Sequence, residues 1–446
     1  MTSSARAPWF MVLFLSLFPQ GINAAPADNT STKWSVQTAV TYALAHNPDT
    51  KAAVERILAS EADLKAARSA LYPQVGVAVE YSRTNNPMYS FGNILNQGMF
   101  TDSIDFNNPG TTDTLQTKGI IQYRLYNGGR DVAGVDASEN RGQASILEND
   151  AIRLQLEYNV VRAFCSIVQA GEVVLARQSS LEAISASLAV ARARFDEGSL
   201  LQEEVLNLEV QQSRSEEQLI QAKHSLSLAQ RGFLRLLGLQ GNMVNLDPQA
   251  SPTQTIPAEP EISQRPELKA MGAQIKTLEA MVRQARGGYA PTADLFGSYQ
   301  VDKGTELDEG SGNSWTTGVR LNYTLFNGGR TGAEVERAEA QLREARERLH
   351  KLELAFSLEM EQALLALTQE EERLKVTQKM VASARESARL SRLRFKEGIV
   401  LSSELIDTEN RLTDALVSHS LASASRKIAI ADLRRSVGLH QFTQGK

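Results

Sequence analysis

The chain repeats itself. Leu125-Tyr126-Asn127-Gly128-Gly129-Arg130 returns as Leu325-Phe326-Asn327-Gly328-Gly329-Arg330, a shift of 200. At the same shift Arg192-x-Arg194-Phe195-x-Glu197-Gly198 returns as Arg392-x-Arg394-Phe395-x-Glu397-Gly398, and Gly238-Leu239 as Gly438-Leu439. Upstream, Asn47-Pro48-Asp49 and Leu71-Tyr72-Pro73 are echoed by Arg265-Pro266-Glu267 and Tyr289-Ala290-Pro291, with Pro73 and Pro291 now 218 apart. An ordered series of this kind marks a duplication, so one structural solution must serve twice. The first repeat is taken as 25–239 and the second as 264–439. Between them lies an inter-repeat segment, 240–263, and a tail follows at 440–446.

Each half reads helix, strand, loop, strand, long helix, helix. The Ala-, Glu- and Leu-rich run 47–71 stops before Pro73, as a helix should. Period-two alternation places strands at about 74–82 and 117–126, and their counterparts at about 292–300 and 316–326. After each Asn-Gly-Gly-Arg the chain runs without proline over 128–196 and 328–396. About 69 helical residues make a rod of about 100 Å. The following helices, to about Leu237 and Val437, reach roughly 57 Å, and those before the strands roughly 37 Å. The two shorter lengths together nearly equal one long helix. Asn127, Gly128 and Gly129, like Asn327, Gly328 and Gly329, are the expected strand-to-helix elbows, where glycine relieves the backbone. Small residues such as Ala183, Ala186, Ala189, Ser185 and Ala191 spread wider than one coiled-coil seam, which favours a wall of helices.

Residues 1–24 have the form of an export signal, with Arg6, an apolar run from Trp9 to Phe18, and small residues at Ala24-Ala25. The net charge of -5 argues against a nucleic-acid binder, and the single Cys165 excludes a disulfide framework. Beyond the signal no apolar run long enough to span a bilayer as a helix stands out, so membrane insertion is expected to use strands. Strands of nine or ten residues match a tilted crossing, with one oily and one polar face. Arg124 and Arg320 fall on the polar face, and Lys118 and Asp294 are placed there too, although Phe296 shares the face of Asp294. Tyr81, Tyr123, Tyr299 and Tyr323 lie near strand ends, as interfacial girdles do. Four strands cannot close a barrel, and open edges are not tolerated in hydrocarbon, so a membrane barrel would be shared between chains. The connector 83–116 is unusually long for a structureless loop and is expected to fold over the mouth or to form an outer binding surface.

In these features the chain resembles the outer-membrane efflux proteins of the TolC type. The tandem halves, the Tyr-Pro and Tyr-x-Pro leading into the strands, the Asn-Gly-Gly-Arg elbows and Arg-Phe-x-Glu-Gly at both tips carry the resemblance over about 34–440. It implies a mostly alpha protein with a four-stranded transmembrane beta contribution from each chain. A homotrimer would form a twelve-stranded beta-barrel in outer-membrane lipid, continued by a periplasmic alpha-helical barrel. Segment 240–263 and the tail would girdle it. Such proteins are exit ducts of tripartite efflux pumps and type I secretion systems. Their partners are a periplasmic adaptor and an inner-membrane pump or ABC exporter, and they need no cofactor. The family's acidic pore constriction maps onto Glu404 and Asp407, three apart on one helical face, with Glu204 and Asn207 as first-repeat equivalents. The family's tip aromatic hydroxyl and basic side chain are here Phe395 and Val400, so the closed tip must be held otherwise. Arg392, Arg394 and Arg411 against Glu204, Glu404 or Asp407 are the candidates.

Two other classes compete. A periplasmic adaptor also carries a long helical hairpin, but only one, among beta domains; a structural coiled coil has no need of two strand hairpins. Catalysis finds no support. Five scattered histidines lack ligand spacing, and Asn-Gly-Gly-Arg lacks the Lys-Ser/Thr of a phosphate loop.

Overall fold

The structure is a computed structural model that describes residues 33–248, 255–306 and 309–442. The expected signal 1–24 lies outside the described residues. In chain order the elements are β1 (Lys33–Trp34), α1 (Val36–His46), α2 (Pro48–Ser69), β2 (Gln74–Thr84), α3 (Pro87–Asn96) and β3 (Thr112–Tyr126). Then come α4 (Arg130–Asp196), α5 (Gln202–Leu236), β4 (Asn245–Leu246) and α6 (Pro266–Arg286). They are followed by β5 (Thr292–Lys303), β6 (Ser311–Asn322), α7 (Arg330–Lys396) and α8 (Ser402–Ser436). The duplication is visible in lengths: α4 and α7 have 67 residues each, α5 and α8 have 35 each.

The helix boundaries follow from local chemistry. Gly129 and Gly329 sit at φ 76° and 83° immediately before the long helices, so α4 and α7 begin at the arginine and not at 128 or 328. At the far end Gly198 and Gly398 adopt φ 72° and 80°, with Ser199 N–H donating to Arg194 O and Ile399 N–H to Arg394 O, each at 2.8 Å. This is the left-handed glycine stop, and Gly238-Leu239 and Gly438-Leu439 repeat it at the ends of α5 and α8. Asn47 caps α2 through Asp49 N–H at 2.7 Å, with Pro48 at the first helical position.

Each returning helix meets the start of a short one end to end. Asn47 Nδ2 donates to Leu236 O at 2.9 Å, and Arg265 Nη1 donates to Ser436 O at 3.4 Å. Thus α5 with α2, and α8 with α6, each cover the height of one long helix. The packing order is consistent throughout: α4 contacts α2 and α5 on one flank and α6 and α8 on the other, while α7 lies beyond α6 and α8. The result is a wall four helices wide, with α7 on one edge and α2 and α5 on the other. Its edges are apolar but uncovered. Leu354, Leu358, Leu365 and Val376 form one stripe on α7, and Leu206, Val210, Ile220 and Leu228 form another on α5.

The main core lies midway along α4. Val160, Val161, Phe164, Cys165 and Ile167 pack against Trp34, Val36, Val40 and Ala43, with Phe233, Leu237 and Ala431. Burial raises the Cys165 thiol to about 11, so it packs as a small apolar group. α4 does contain a stretch long and apolar enough to cross a membrane, contrary to expectation. Its densest apolar run is the floor beneath α1. The girdle of this level is made by α1, by β1 pairing parallel with β4, and by the tail, where His440 Nδ1 and Gln441 N–H each lie 2.8 Å from the buried Glu157 carboxylate. Of the inter-repeat segment expected here, residues 249–254 lie outside the described residues.

The four long strands form one antiparallel sheet in the order β2-β3-β5-β6. The strands run further toward the hairpin ends than the sequence reading, β2 to Thr84, β5 to Lys303, and β6 from Ser311. β3 begins at Thr112, because Thr112 pairs with Thr84 and anchors α3 through Asn93 Nδ2 at 3.0 Å. β6 stops at Asn322, opposite Thr292, the first residue of β5, so that Tyr323 to Phe326 have no strand to pair with among the described residues. The connector 83–116 is not structureless. α3 seats on the glycines of the β5–β6 hairpin, where a Cβ at Gly312 would collide with Asn96 O. Register puts Gly312 on the polar face with Asp302 and Gln116, so α3 folds over that face at the outer end.

Candidate functional site

Two regions concentrate charge and polarity: the tip, where the long helices turn, and the polar face of the sheet. At the tip the helical turns of the two repeats dock on each other. Leu188, Ala191, Val205, Leu208, Phe395, Val400 and Leu405 form a closed apolar cluster there. Phe395 and Val400 are therefore packing residues between hairpins, which is why neither carries a hydroxyl or a charge.

The polar contacts around this cluster cross between repeats. Arg194 Nη1 donates to Phe395 O, the end of α7, at 3.0 Å. Ser402 N–H, at the start of α8, donates to Glu204 Oε2 at 2.6 Å. An anion at a helix start and a cation at a helix end are both favourable placements. Gly398 leaves the space the Arg194 guanidinium fills; a Cβ there would lie 2.6 Å from Nη2. Glu204, expected in the pore constriction, is thus engaged as a helix cap. Its neighbour in the duplicated pattern behaves differently. Glu404 is exposed and paired with Arg394 at 3.2 Å, and Asp407 is exposed and paired with Arg411 at 2.8 Å within α8. Arg392 binds none of the expected acids. It forks onto Glu409, with Nη2 to Oε2 at 2.7 Å, and this hydrogen-bonded carboxylate holds the guanidinium above its ordinary value. The same pair exists one repeat earlier as Arg192 and Glu209, at 2.7 Å. Sequence reasoning missed both glutamates, although the repeat shift alone pairs Glu209 with Glu409.

On the sheet, register sorts most apolar and most charged side chains to opposite faces. Val75, Val77, Val79, Ile121, Tyr299, Trp315, Val319 and Leu321 fall on one face and are largely exposed, Val75 at 77% and Trp315 at 72%. The opposite face carries Glu80, Gln116, Lys118, Arg124, Asp294, Phe296, Asp302 and Arg320. All four charged residues assigned to the polar face sit there, Asp294 with Phe296 beside it. Arg124 Nε donates to Asp294 Oδ1 at 3.1 Å, Gln116 Nε2 to Asp302 Oδ1 at 3.0 Å, and the Arg320 guanidinium carbon lies 5.1 Å from the Phe296 ring centre.

The elbows join sheet to wall. Asn127 is buried, and Gly128 abuts the Gly287–Tyr289 turn so closely that a Cβ would meet Gly287 O at 2.5 Å. Asn327 is exposed, donates to Thr331 Oγ1 at 2.7 Å, and Gly328 has open space beside it.

Comparison with known proteins agrees with this architecture. The outer membrane efflux protein family matches residues 39–239 and 260–439. The outer membrane efflux protein BepC of Brucella suis is 26% identical over 290 residues, and the fusaric acid resistance protein FusA of Burkholderia cepacia 25% over 323. These alignments take in 63% and 69% of this chain, and the chain spans 58% of the length of each relative. The crystal structure of the CmeC outer membrane channel of Campylobacter jejuni superposes with a TM-score of 0.80 at 18% identity, over 92% of this chain and 87% of that one. The family model matches both repeats, which sets aside the adaptor and the structural coiled coil: the chain belongs to the outer membrane efflux protein family.

Proposed function

We propose that three copies of this chain close into a duct that carries cargo from the periplasm to the exterior. The observation that carries this reading is the sheet itself. Its apolar face is exposed and its two edge strands, β2 and β6, have unpaired backbone groups, a combination that neither water nor hydrocarbon tolerates. Pairing β6 of one copy with β2 of the next, three times, gives a twelve-stranded barrel with lipid outside and the polar face lining a lumen. The same operation brings the apolar stripe of α7 onto α2 and α5 of the neighbour and continues the tube into the periplasm.

At the far end Glu404 and Asp407 form acidic rings that narrow the pore and favour cations, with Arg394 and Arg411 as their counterions when the aperture is shut. A periplasmic adaptor meets the tip and couples it to an inner-membrane pump or ABC exporter. Relatives named for fusaric acid resistance, pyoverdine export and alkaline protease secretion leave both small compounds and secreted polypeptides open as cargo. The test is single-channel recording in planar bilayers. Glu404→Ala and Asp407→Ala are expected to raise conductance and lower cation preference. Unchanged conductance and selectivity in both sink the gating assignment.

A further inference from the structure

Where the sheet meets the helices, one cross-strand row of the polar face reads Arg124, Asp294, Arg320 on β3, β5 and β6. The single carboxylate is claimed by Arg124, at 3.1 Å. Among the described residues no carboxylate pairs with Arg320, whose guanidinium lies over the Phe296 ring in the next row. Each row of this kind therefore carries one uncompensated positive charge. Beside it Gln74 and Gln122, register partners on β2 and β3, line with Tyr72 a hollow of about 160 Å³ that includes both arginines and Phe296.

We propose that this hollow is a binding station for small aromatic carboxylates on the lumen wall. The claim rests on the reading that the polar face lines the duct. The chemistry is complementary on both sides. A guanidinium fork matches a carboxylate with two parallel hydrogen bonds, and Arg320 is the fork that no carboxylate among the described residues engages. The Gln74 and Gln122 amides supply neutral donors, and the exposed Tyr72 ring offers an apolar face to a flat ring. Asp294 sets the strength. By neutralising Arg124 it leaves one charge and not two, which suits a station that cargo must leave again. The hollow is large enough for one aromatic ring.

The experiment uses the full chain reconstituted in planar bilayers, with millimolar salicylate as the probe and acetate as its non-aromatic control. Salicylate is expected to interrupt the current reversibly, and acetate to do so far less. Arg320→Gln removes the free fork and should weaken the salicylate block about tenfold. Arg320→Lys keeps the charge without the fork and should fall between. Asp294→Asn works in the opposite direction: it releases Arg124 and should prolong each blockade. Unitary current in salt alone confirms that each variant has assembled. A block unchanged in Arg320→Gln, or equal for acetate and salicylate, or unmoved by Asp294→Asn, overturns the station while leaving the duct intact. A preparation that conducts no ions overturns the duct, and the station falls with it.

Discussion

The two repeats share a plan and differ in what covers them. α4 has neighbours on both flanks and buries seventeen of its residues, while α7 has them on one flank and buries ten. The elbows follow suit. Asn127 is buried with Gly128 pressed on its neighbour, whereas Asn327 is exposed and Gly328 free. Identical motifs in unequal surroundings point to a missing neighbour, not to a different local fold. The shorter helices invert the rule, since α8 and α6 lie inside the wall and bury fourteen and six residues against eight and three for α5 and α2 at its edge, and so does the tip. There Phe395 of the second repeat is 2% exposed and Phe195 of the first is 41% exposed, because the first hairpin wraps the second.

This contrast can be broken most forcefully at the uncovered edge. Leu365→Asp, on the α7 stripe, should leave subunit helicity unchanged and abolish trimers in native mass spectrometry. Trimers at wild-type abundance would show that the stripe is not an interface. Next comes the comparison of equivalent core positions. Phe164→Ala, in the α4 core, is expected to cost about 3–5 kcal/mol in denaturant titration. The matching Leu364→Ala on α7 is half-buried and should cost about 1–2 kcal/mol. Equal losses would remove the distinction between inner and edge helices. Smaller still is the tip. Glu204→Ala removes the α8 cap at a cost of about 1–2 kcal/mol and should speed amide exchange over the first turn of α8. The matching Glu404→Ala removes an exposed first-turn carboxylate that caps no backbone N–H of α8 and should speed that exchange less.

The smallest effect is a pH dependence of the tail. Hydrogen bonding to Glu157 raises His440 above its usual 6.5 despite partial burial. A raised folded-state value means the contribution is fully present below about pH 6.5 and is lost as pH rises through the raised value. His440 is half exposed, so the effect is at most about 1 kcal/mol. His440→Gln should flatten the profile of thermal midpoint against pH in that window.

Much of this was legible because it is local and occurs twice. Proline-free runs gave the long helices, alternation gave the sheet faces, and the repeated glycines marked elbows and tips to within a residue or two. What escaped was set by contacts distant in sequence. The β1–β4 pair is too short to show periodicity, and although Val36, Ala39, Val40 and Ala43 carry the helical spacing of α1, that spacing does not say where the helix packs. β1 finds its partner only beyond the whole first repeat, and α1 finds its floor midway along α4. α3 is held by glycines of the β5–β6 hairpin, in the other repeat, which composition of the connector cannot reveal. At the tip, motif matching placed Glu204 beside Glu404 as equals. Its engagement with Ser402 depends on two hairpins docking, a fact of tertiary structure.

The open edges of β2 and β6 also have a genetic consequence. On the proposed three-chain duct a subunit cannot rest in the bilayer alone, since each unpaired backbone group in hydrocarbon costs several kcal/mol, so insertion and assembly become one event. No reservoir of membrane-resident monomer can then form to dilute a faulty copy. A subunit with a sound sheet and a damaged tip would be built into ducts alongside healthy ones and would spoil them. Such alleles should be dominant, whereas alleles that damage the sheet edge, which never enter a ring, should be recessive.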